Sequence, residues 1–106
     1  MHIERVVFDG KPYELGINIG VLNSISKETE LTIVEVIASI AKDIEIDDLI
    51  IRSFHMFKAC NPGISFADYK ALVESADDFT TIRGLVDVYL SLINKVLMVT
   101  DDKKKN

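Results

Sequence analysis

Cysteine occurs once in this 106-residue chain, tryptophan not at all and proline only twice. A lone thiol, Cys60, closes no intramolecular disulfide, so the core must hold the fold. No apolar run approaches the ~18 residues that a membrane span requires. The N-terminus lacks the basic segment and apolar stretch of a signal peptide, and the expected location is the cytoplasm. Basic residues are the minority, 12 Lys+Arg against 17 Asp+Glu for a formal charge of −5. That balance repels phosphate backbones, and nucleic acid is not an expected partner. Also missing are a phosphate-cradling glycine loop, a Gly-x-Ser-x-Gly elbow and His-Glu-x-x-His, which argues against an enzyme. What is present is a chain 48% apolar and 27% charged, the composition of one compact domain.

The pattern predicts an α+β fold: an N-terminal β-hairpin followed by four to five packed α-helices. Ile3, Val6, Val7 and Phe8 are strand formers, Asp9-Gly10 is a turn dipeptide, and Tyr13-Glu14-Leu15 resumes an extended pattern. Pro12 lacks an amide donor, which suits an edge strand. Ile17, Val21, Leu22 and Ile25 then fall at helical spacing. Thr32 and Glu35 form a capping box ahead of a stripe made by Ile33, Val36, Ile37, Ile40, Ala41 and Ile44. Ile44-Glu45-Ile46 reads equally as a strand or a tight link. Asp47 is the expected N-cap of a third helix that carries Leu49, Ile50, Phe54, Phe57 and Cys60 inward and stops at Asn61-Pro62-Gly63. Ser65 with Asp68 caps a fourth, with Phe66, Tyr69, Leu72, Val73 and Ala76 inward. Asp77-Asp78 caps the last helix, which runs to about Val99. One domain over 1–100 and a disordered charged tail over 101–106 are expected.

Few residues suggest chemistry. His55 and Cys60, five apart, point to different sides of a helix and do not share a metal ion. No basic residue stands where it would stabilise a Cys60 thiolate, and a buried thiol is expected. Asp43, Glu45, Asp47 and Asp48 lack the glycine and downstream glutamate of an EF-hand, so capping and a solvated rim explain them better than a cation. Tyr13, Tyr69, Tyr89 and the phenylalanines sit at core spacings. No catalytic, cofactor-binding or metal residue is therefore assigned. The last helix stands apart. Ile82, Leu85, Val86, Tyr89, Ile93, Val96 and Leu97 make one stripe, while Val88, Leu92 and Val99 widen it beyond what one core needs. Leu85, Val88, Leu92, Val96 and Val99 are the expected partner-binding surface.

The order of elements, with the segment Asp9-Gly10-Lys11-x-Tyr13-x-Leu15, a helix directly after the hairpin, and only helices up to a charged tail, resembles the tail assembly chaperones of long-tailed bacteriophages and prophages. The resemblance implies a small acidic protein of the host cytoplasm. Such a protein coats the helical tape measure protein, assists the tail tube protein to polymerise around it, and is not in the mature virion. It implies no active site. Lys103-Lys104-Lys105-Asn106 is what an A-rich frameshift stretch of that family would encode, and equally a solubilising tail. Two other classes are open. One is a homo-oligomeric structural or adaptor domain whose C-terminal helix pairs with its own copy, and the other is a metal-dependent enzyme built on the acidic cluster around Asp47.

Overall fold

The computed structural model describes the backbone of residues 1–39 and 44–105 and the side chains of residues 1–39 and 44–97. Over those residues the fold is α+β, in the order β1 (His2–Phe8), β2 (Lys11–Ile17), α1 (Ile19–Thr29), α2 (Ile33–Ser39), α3 (Ile46–Cys60), α4 (Phe66–Glu74) and α5 (Phe79–Lys105). The two strands are antiparallel, with His2 opposite Ile17 and Phe8 opposite Lys11. Asp9 and Gly10 join them at φ 51° and 75°. A two-residue hairpin of this kind needs positive φ at both positions, which glycine takes freely and aspartate tolerates.

Alternation sorts the hairpin into two faces. Val6, Phe8, Leu15 and Ile17 are buried, whereas Ile3, Arg5 and Val7 lie outside, opposite Gly16, Glu14 and Pro12. Ile17 ends the strand and does not start the helix, contrary to its spacing. Its fully buried side chain still serves the core, so strand and helix share one apolar face across the boundary. Asn18 caps α1, its side-chain oxygen accepting from the Val21 amide at 2.9 Å.

Of the later helices, α2, α4 and α5 begin on a side-chain cap. The Thr32–Glu35 capping box is reciprocal: the Glu35 amide donates to Thr32 Oγ1 at 3.1 Å, and the Thr32 amide donates to Glu35 Oε1 at 2.9 Å. Ile40, Ala41 and Asp43 lie outside the described residues. Ile44-Glu45 is a link, and α3 starts two residues earlier than expected, with extended Glu45 as its N-cap in place of Asp47. Asp47 and Asp48 instead occupy the first turn, where the helix dipole favours carboxylates. At the other end the Asn61 side chain donates to Phe57 O and Glu14 O, both at 2.9 Å, and ties α3 to β2. Ser65 accepts from the Asp68 amide, and Asp78 from the Thr80 amide. Both caps are those expected.

The helical backbone of α5 continues to Lys105, past the expected stop near Val99. No glycine or proline follows Gly84 to break it. Twenty-seven residues span about 40 Å at 1.5 Å each, and the molecule's longest dimension is 44 Å. The inner face of the hairpin lies across two helices, β2 on α3 and β1 on α5. Phe8, Tyr13, Phe54, Phe57 and Tyr69 meet in the resulting core, with Phe57 and Tyr69 closest at 4.7 Å between ring centres.

Candidate functional site

The surface expected on α5 is largely covered. Leu85 and Leu92 are fully buried and Val88 is 9% exposed, alongside buried Tyr89 and Ile93. Val96 is half-buried against the same core, and the side chain of Val99 lies outside the described residues. The apolar arc is wide because α5 has several covers, β1, β2 and α3. A helix with one neighbour needs one stripe; this one needs two. Polar contacts fasten the cover. Glu4, on the inner face of β1, accepts a hydrogen bond from the Ser91 hydroxyl and an ion pair from Lys95 at 3.0 Å. Partial burial works against the Glu4 charge, but Ser91 and Lys95 outweigh it and hold the carboxyl below its ordinary range. Pairing two copies through Leu85, Val88 and Leu92 would require the hairpin to lift away.

A buried arginine forms the main polar cluster. Arg52 of α3 is almost wholly enclosed. Its Nη1 donates to Ser39 Oγ at 2.7 Å, Tyr89 OH at 3.2 Å and Val36 O at 3.4 Å. Its Nε lies 3.1 Å from Asp48 Oδ2, one turn earlier, as an ion pair outside hydrogen-bond angles. Burial acts to lower its pKa, but the Tyr89 hydroxyl and the Asp48 carboxylate prevail and raise it. The charge joins α2, α3 and α5 at one point. Nearby, Ser53 and Tyr69 hydroxyls share a 2.7 Å hydrogen bond in the core, and burial pushes the Tyr69 phenol up. Such hydroxyls are poor proton donors at neutral pH and act as structural links.

The other titratable groups do not converge. His55 Nε2 is 3.6 Å from Glu28 Oε1, beyond hydrogen-bond reach. Burial lowers its pKa, with Glu28 opposing and Lys58 reinforcing the shift. It borders an open groove of about 350 Å³ between α1 and α3, with Asn18, Ser24 and Lys58. Cys60 is half-buried, and burial, with Glu14 nearby, pushes its thiol up, away from a nucleophile. Within the acidic cluster Asp48 turns to Arg52, and Asp43 lies outside the described residues. Among the described residues no three His, Cys, Asp or Glu side chains stand together as a metal site, and no helix is long and apolar enough to cross a membrane.

Apolar surface is exposed elsewhere. Phe66, expected inward, is 40% exposed; Phe79, also assigned to the core by its spacing, is 63% exposed; Ile46 is 47% exposed. Phe66 stands edge-on to Phe54 at 5.4 Å, beside a cleft of about 230 Å³ lined by Asp47, Ile50, Ile51, Phe66 and Lys70. The sequence carried a faint signal for this: Phe66 is the first residue of α4, where no preceding turn shields it. No family model, curated protein or solved structure matches the chain.

Proposed function

We propose that this chain is a tail assembly chaperone of a long-tailed bacteriophage or prophage. It is a non-enzymatic binding module that holds the tape measure protein in solution in the host cytoplasm while the tail tube forms. The observation that carries this reading is the element order: a hairpin of two seven-residue strands, a helix after a single intervening residue, and helices from there to Lys105. That is the layout the resemblance implies. The acidic balance supports it, because a net charge of −5 keeps a complex with an apolar client soluble. Leu85, Val88 and Leu92 are buried in the chain's own core, so in this reading the contact with the client is made by side chains that the fold leaves exposed. Co-expression tests the function. A tape measure protein encoded beside this chain should stay in the soluble fraction and co-purify with it. Precipitation of the tape measure protein to the same extent with and without the chain would overturn the reading.

A further inference from the structure

We infer that the cleft between α3 and α4 is a docking groove for an amphipathic helix of another protein, seating one apolar side chain on Ile50, Ile51 and Phe66 between Asp47 and Lys70. Asp47 and Ile51 form an i, i+4 row on α3, and Phe66 and Lys70 form one on α4. Two such rows with a trough between them are what a third helix packs into, ridge into groove. The trough of about 230 Å³ has buried Ile50 as its floor. Ile46, 47% exposed and one turn before Ile50, continues the apolar track toward the start of α3.

Charge selects the occupant. Among the described residues neither Asp47 nor Lys70 is in an ion pair. Both line the cleft, leaving a negative and a positive group for a partner to answer. The matching helix carries an apolar anchor with a basic residue on one side and an acidic residue on the other. A second copy of this chain fits poorly, since two clefts face to face leave the void between them unfilled. The groove is independent of the tail-assembly reading: failure of co-expression alone leaves it standing.

The test uses synthetic stapled helical peptides of about fifteen residues, a length at which an unaided helix is marginal. One carries a leucine stripe flanked by one lysine and one glutamate, and its control has glutamate at both flanks. The mixed-charge peptide should shift the amide resonances of Ile50, Ile51 and Phe66 and bind about threefold tighter than the control, the scale of one exposed ion pair. Phe66→Ala should weaken it about tenfold with the circular dichroism spectrum retained. Asp47→Asn, at an exposed position, takes away the carboxylate that the peptide's lysine answers and should remove the preference between peptides. Shifts confined to another surface, equal binding of both peptides, or undiminished binding to a folded Phe66→Ala would overturn the proposal. So would self-association by sedimentation that Phe66→Ala abolishes, since a second copy would then be the occupant.

Discussion

Helices α4 and α5 are both amphipathic and border the same core, yet the middle of α5, from Leu85 to Ile93, is sealed while α4 is held at the core's edge. The apolar arc of α5 lies beneath β1, fastened by Glu4 to Ser91 and Lys95. On α4, Tyr69 and Val73 are buried while Phe66 stands half in solvent against Phe54. Width of an apolar stripe therefore records how many neighbours a helix has, not how much it leaves exposed. The hairpin is the second neighbour of α5; α4 has only α3 as a substantial one.

Substitutions on the two helices should separate them. Leu92→Asp places a charge where the side chain is fully buried, at a cost above ~4 kcal/mol. Against a stability of ~5–15 kcal/mol, thermal melts should show a severely destabilised or unfolded chain. Phe66→Ala, in contrast, should cost only ~1 kcal/mol because the ring is part-exposed. If Leu92→Asp folded as well as Phe66→Ala, the comparison would be broken. Next in size is Arg52→Ala. It removes a charge shared by α2, α3 and α5, and urea melts should show a loss of ~2–3 kcal/mol, below the figure for a wholly buried pair because Asp48 is partly exposed. Arg52→Met should recover part of it by filling the space.

Much of this was legible locally. The Asp9-Gly10 turn, the capping box and the Ser65 and Asp78 caps involve residues within three positions of each other, and the hydrogen bonds are the expected ones. Arg52 was not legible. Its partners Ser39 and Tyr89 lie 13 and 37 positions away, beyond anything that helical spacing reports. The burial of Leu85, Val88 and Leu92 was hidden for a related reason: periodicity finds the apolar faces of a helix but does not distinguish a face meant for the chain's own hairpin from one meant for a partner. Phe66 and Phe79, each the first residue of its helix, were assigned inward by spacing, though a first turn has no earlier turn to shield it.

Smaller effects sharpen the picture. Thr32→Ala removes one half of the capping box and should lower stability by ~1 kcal/mol, read as a shift in the urea midpoint with an unchanged slope. The pH dependence is smaller still. Glu4 has a folded pKa lowered from 4.5, so its contribution is present above about pH 4.5 and is lost as pH falls through the folded value. His55, lowered from 6.5, prefers to be neutral when folded, so stability also declines as pH falls from 6.5 toward its folded pKa. Both signs agree: the melting temperature should drop on acidification. Glu4→Gln should flatten the lower part of that fall and His55→Gln the upper part.

Native-state amide hydrogen exchange tests the sealing of α5 under the hairpin most directly. Amides of Leu85 to Ile93 should exchange only through global unfolding, with protection equal to the stability measured by urea, while those of Phe66 to Val73 open at lower free energy. Local opening of the α5 segment well below the global value, with α4 the better protected of the two, would contradict the account.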